Sequence, residues 1–72
     1  MRRVEITPKE MTWRGYEYLH AEKWESDTPI SDKDLEDLKI NHYNNFPITH
    51  VDFQLSPDKM SVIAHIITDR GN

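Results

Sequence analysis

Along the last third of the chain apolar residues fall on alternate positions: Val51, Phe53 and Leu55, then Met60, Val62 and Ala64, with Ser56-Pro57-Asp58-Lys59 between the runs. Period-two alternation on both sides of a turn signal predicts an antiparallel hairpin with one apolar face. Pairing Leu55 with Met60 around the Ser56–Lys59 loop sets Phe53 opposite Val62 and Val51 opposite Ala64, and it brings His50 opposite His65 on the other face. A helix beginning at Ser56-Pro57 is the rival reading. Val62, Ile63, Ile66, Ile67 and Thr68 are β-branched, however, and β-branched side chains favour strands. A one-residue slip would turn the whole apolar set to solvent, so the face of the hairpin is strongly specified.

The middle of the chain changes period. Ser31 can N-cap a helix with Asp34 three residues on, acids fill the first turn, and Ile30 and Leu35 occupy the staple positions. The spacing predicts a helix from Asp32 to about Tyr43, stopped by Asn44-Asn45 before Phe46-Pro47. Leu35, Leu38 and His42 share its inner side. Ile40 projects nearly opposite, among Lys33, Glu36 and Asp37, where a solvent-facing surface would ordinarily carry a polar residue. It is either a contact residue or an exposed isoleucine.

Two readings compete over residues 7–24. Thr7-Pro8-Lys9-Glu10 has the form of a capping box with proline at the first helical position, and a helix from there would align Trp13, Tyr16, His20 and Trp24. Alternatively Arg14-Gly15 is the turn of a hairpin in which Trp13 faces Tyr16, Met11 faces Tyr18 and Lys9 faces His20. Gly15 costs a helix roughly 1 kcal/mol relative to alanine, and the aromatics favour strands, so the hairpin is preferred. The expected fold is a single compact α+β domain over residues 1–72. In it a small antiparallel sheet from N-terminal and C-terminal hairpins packs its apolar face on the Leu35/Leu38 stripe of one central helix, in the order ββαββ.

Composition narrows the function. A chain of 72 residues with 36% hydrophobic side chains can build one thin core but no deep, multiply supported pocket, which disfavours catalysis. The absence of cysteine removes disulfides and thiolate zinc. No Walker loop, dinucleotide fingerprint or nucleophile elbow occurs, and no catalytic residue or cofactor is assigned. His20, His42, His50 and His65 invite a metal reading, with His50, Asp52 and His65 on one face in the derived register. They lack any recognised ligand spacing, so no metal site is expected. A facing His50/His65 pair would place like charges together near its protonation pH, a destabilising switch. Glu5, Pro8 and Lys9 interrupt the place of a secretory apolar region, and the longest apolar stretch, Val62 to Ile67, is broken by His65. These features predict a soluble, cytoplasmic protein without membrane partners.

The net charge of −4 argues against sequence-blind binding to phosphate backbones. Its distribution says more. From Glu22 to Asp37 the acids Glu22, Glu25, Asp27, Asp32, Asp34, Glu36 and Asp37 face only Lys23 and Lys33, a net −5, while the rest of the chain nets +1. One reading is a solvated connection over 25–31 leading into a helix N-terminus that favours acids. The sharper reading is a docking surface for a protein partner with a basic face, including mimicry of nucleic-acid phosphates. It comprises Glu22, Trp24, Glu25, Asp27, Asp34, Glu36, Asp37 and Ile40, with Trp24 as its aromatic anchor. The opposing reading is a nucleic-acid-binding regulator that uses Arg2, Arg3, Lys9 and Arg14 with Trp13 and Tyr16 as stacking groups. A homodimer is also expected, because two short hairpins leave unpaired strand edges, with Arg2 to Ile6 and Ile63 to Thr68 as candidates.

Ile6-Thr7-Pro8-Lys9-Glu10, followed by Trp13, Gly15 and Tyr18, resembles the opening of small uncharacterised accessory proteins carried by bacteriophages of Gram-positive bacteria. The resemblance covers about a fifth of the chain and carries no functional residue. It implies a non-catalytic protein, such as an inhibitor, that binds and modulates a host or phage macromolecule.

Overall fold

The structure, a computed structural model, describes residues 1–13, 16–17, 20–44 and 48–68. Strands β1 (Arg2–Val4), β4 (His20–Glu25), β5 (Ile48–Leu55) and β6 (Ser61–Thr68) form an antiparallel sheet in the order β1-β4-β6-β5. A short pair, β2 (Thr12–Trp13) and β3 (Tyr16–Glu17), stands apart from it, and helix α1 spans Asp32–His42. This is the expected α+β class, with one helix on one face of a small antiparallel sheet.

The helix forms where its caps require. The Ser31 hydroxyl accepts the Asp34 N–H at 3.2 Å and the Asp34 carboxylate accepts the Ser31 N–H at 2.9 Å, so two donors left over at the helix start are satisfied reciprocally. Ile30 and Leu38 are buried with Trp24 and Val62, and Leu35, Phe53 and Leu55 pack around them. A second cluster joins Tyr43, Val51, Ala64 and Ile66, with Phe53 common to both. His42, expected on the buried stripe, is exposed, though its ring lies 4.8 Å from that of Trp24.

The C-terminal hairpin exists with its apolar face as expected, but the register is two residues longer. Leu55 pairs with Val62, Phe53 with Ala64 and Val51 with Ile66. The turn explains the shift. The Ser56 N–H donates to the Ser61 carbonyl at 2.9 Å, and the Ser56 hydroxyl donates to Asp58 at 2.6 Å while accepting the Ser61 N–H at 3.1 Å. Asp58 also accepts the Met60 N–H, and Lys59 takes the left-handed conformation at φ 62°. The chain therefore reverses over residues 56–61, and Met60 leaves the strand. A shift of two preserves the face and changes every partner. His65 stands opposite Asp52 and His50 opposite Ile67, so the expected His50/His65 pair does not form.

At the N-terminus each rival reading holds in part. The Glu10 carboxylate accepts the Thr7 N–H at 3.0 Å and closes a box, but it opens only a 3₁₀ turn, Pro8–Met11. The chain then enters the hairpin with Trp13 opposite Tyr16. Met11 belongs to the 3₁₀ turn and His20 pairs with Ile66, so the Lys9–His20 pairing is replaced. The turn residues Arg14 and Gly15, the Met11 partner Tyr18 and the stop at Asn45-Phe46-Pro47 lie outside the described residues.

The segment read as a flank of an acidic connection is β4, an interior strand between β1 and β6. Its Trp24 packs toward the helix. Of the two expected edges, Arg2–Val4 does lie at the sheet margin, but Ile63–Thr68 is interior, and the second margin is β5.

Candidate partner-binding surface

Strand alternation puts His20, Glu22 and Trp24 on the helix side of β4, where Tyr43, the cap residue closing α1, meets them. The Trp24 indole Nε1 donates to the Tyr43 hydroxyl at 2.7 Å, and that hydroxyl donates to Glu22 Oε1 at 2.6 Å. From the sheet edge, Arg3 donates to Glu22 Oε2 at 3.2 Å, and His20 Nε2 lies at the same distance from that oxygen. A carboxylate at this depth needs such partners. Burial alone would raise the Glu22 carboxyl, but Tyr43, His20 and Arg3 together hold it below its ordinary value. Burial, and then the adjacent Glu22 carboxylate, push the Tyr43 phenol well above its ordinary value.

Five of the eight residues expected at the docking surface are engaged within the protein itself. Trp24 is only 8% exposed and is a core residue, so it cannot serve as a surface anchor as it stands. Glu22 holds Tyr43 and Arg3. Arg2 bridges Glu25 at 3.4 Å and Asp27 at 3.3 Å, and Asp34 caps the helix. Glu36, Asp37 and Ile40 differ. They are exposed on the outer side of α1, Ile40 by 59%, and among the described residues neither acid forms an ion pair. What sequence reasoning missed was Tyr43, whose position just past the periodic stripe gave no sign of a buried hydroxyl. Glu22 itself was legible only as one acid among seven.

The other candidate chemistries change as well. Arg2 and Arg3, the start of the proposed basic aromatic stripe, are engaged by Glu25, Asp27 and Glu22. Lys9 is exposed, whereas the side chains of Trp13, Arg14 and Tyr16 lie outside the described residues. On the sheet face away from α1, His50 Nε2 lies 2.7 Å from Asp52, and His65 Nε2 lies 3.0 Å from Gln54 Oε1. Among the described residues no three His, Asp or Glu side chains converge as metal ligands, and no helix is long and apolar enough to cross a membrane. On that face the Glu10 carboxylate accepts from Lys23 Nζ at 2.7 Å. Lys23 first, then the Thr7 backbone amide, hold its carboxyl down at about 2. The Lys9–Glu10 turn and the Leu55–Pro57 loop flank an open groove of about 410 Å³ with Ile63 at its floor.

No family model, curated protein or solved structure matches this chain.

Proposed function

We propose that this protein is a small, non-catalytic protein-binding module that docks on a basic surface of a macromolecular partner through the outer face of α1. The observation that carries the reading is Ile40, a large apolar side chain held in solvent beside Glu36 and Asp37, acids that form no ion pair among the described residues. Glu36 and Asp37 supply long-range attraction and Ile40 a contact that is desolvated on docking. The acids of β4 and the following turn contribute less, because Arg2 and Arg3 already screen them. A phage-type accessory protein or inhibitor that imitates nucleic-acid phosphates is the biological form this reading favours.

The test is capture of the partner from host lysate on the immobilised protein, followed by association kinetics. Glu36→Lys with Asp37→Lys is expected to slow association and flatten its salt dependence, whereas Ile40→Ala is expected mainly to speed dissociation. Unchanged kinetics in both variants, with the fold intact, would exclude α1 as the docking face.

A further inference from the structure

The two margins of the sheet are not equivalent. β1 is three residues long and carries Arg2 and Arg3, the short charged form by which proteins blunt an exposed edge. β5 runs for eight residues, Ile48–Leu55, contains neither lysine nor proline, and has no strand beyond it among the described residues. Its one irregularity, a bulge between Ile48 and His50, leaves His50–Leu55 regular. Backbone donors and acceptors along that stretch are a template for another strand.

We propose that the occupant is a second copy of this chain, with β5 pairing antiparallel to β5 of the second copy about a two-fold axis at Phe53, so that the two sheets become one. The side chains select both the partner and the register. In a symmetric antiparallel pair the facing residues share a sheet face, so the axis can pass through only a few positions. An axis at Asp52 would set that carboxylate against its own copy. An axis at Val51 would run the pairing into the bulge. An axis at Phe53 keeps the pairing in the regular stretch, sets Phe53 against Phe53 of the second copy, and sets Val51 against Leu55 twice. Phe53 and Leu55 are the partly buried members at the rim of the core, so this register extends the core across the axis. On the opposite face it sets Asp52 against Gln54, also twice. The Gln54 Oε1 already takes the hydrogen bond of His65, which leaves the amide N–H groups of Gln54 to donate to a carboxylate. Nothing of like charge meets in this arrangement. The interface is small, so the dimer is a weak one.

The test uses the full chain in sedimentation equilibrium from low micromolar to millimolar concentration. The mass should rise from 8.6 kDa toward twice that value. Gln54→Glu and Gln54→Lys separate the proposal from a merely structural role for Gln54, since Glu keeps an oxygen acceptor for His65 and Lys does not, so a structural role would favour Glu over Lys, the reverse of the order expected at the interface. Gln54→Glu faces Asp52 of the second copy with a like charge and should weaken dimerisation at least about tenfold, and Gln54→Lys should strengthen it by a similar factor, because symmetry makes each change act twice. In the unmodified chain, exchange of the outward-facing amides of His50–Leu55 should slow with concentration while that of Arg2–Val4 does not. A mass fixed at 8.6 kDa, variants that shift association in the same direction, or concentration-dependent protection elsewhere would each overturn the proposal.

Discussion

Replacing Tyr43 with phenylalanine removes one oxygen from the interior and leaves the ring in place. That oxygen accepts the Trp24 indole N–H at 2.7 Å and donates to Glu22 at 2.6 Å. Without it a buried N–H loses its acceptor, at about 1–3 kcal/mol, and a carboxylate loses its nearest donor, a charged hydrogen bond worth about 1.5–3 kcal/mol. Glu22 keeps Arg3 and His20, and its side chain is 19% exposed, so water repays part of the second loss. The expected destabilisation is roughly 2–4 kcal/mol. A domain of this length has a total stability of roughly 4–11 kcal/mol, so the loss is a large share of it. The measurement is urea denaturation of Tyr43→Phe, Glu22→Ala and the double variant, with a coupling above about 1 kcal/mol expected between the two sites. A Tyr43→Phe protein within about 0.5 kcal/mol of the parent, or additive losses, would refute the claim that the hydroxyl ties helix to sheet.

Leu38→Ala should cost about 2–5 kcal/mol and Ile40→Ala less than about 0.5 kcal/mol, a contrast that thermal melts would register as a large shift against none. Ser31→Ala should cost about 1 kcal/mol, read as a loss of helical ellipticity and a lowered melting midpoint. The acid side of the stability profile should fall in two stages. Burial depresses His65 below its ordinary 6.5 against the weaker pull of Asp52, so the unfolded chain takes up that proton first and stability declines as pH drops below about 6.5. Glu10 is held at about 2 against an ordinary 4.5, so its contribution is complete above about 4.5 and disappears as pH falls toward 2; denaturation midpoints across that range, compared with Glu10→Gln, would show it.

The parts of the fold legible in the sequence were those with local signatures. Ser31 and Asp34 announced the helix start because capping is decided within one turn, and the alternation of Val51, Phe53 and Leu55 against Val62 and Ala64 fixed a face because side-chain direction has period two. The hairpin register was not legible. It depends on how Ser56, Asp58 and Ser61 share hydrogen bonds across the turn, and a two-residue shift leaves the apolar pattern unchanged. β4 was hidden for a different reason. His20-Ala21-Glu22-Lys23-Trp24-Glu25 has only two apolar residues, and its polar members are made acceptable indoors by distant ones, Glu22 by Tyr43 and Arg3, and Lys23 by Glu10. Of the residues expected at a docking surface, the exposure of Ile40 was legible from its place on the helix, whereas Trp24 looked accessible because nothing nearby in sequence covers it.

The order β1-β4-β6-β5 also bears on how the protein can be made. β6, the last strand among the described residues, lies between β4 and β5, two strands that are formed earlier and do not pair with each other in the finished sheet. Until it leaves the ribosome, β4 and β5 lack their main partner and the underside of α1 has only part of the surface it packs against. The sheet therefore cannot close until Ser61–Thr68 has been made, and a nascent chain stalled before Ser61 would present unpaired strands to chaperones and proteases.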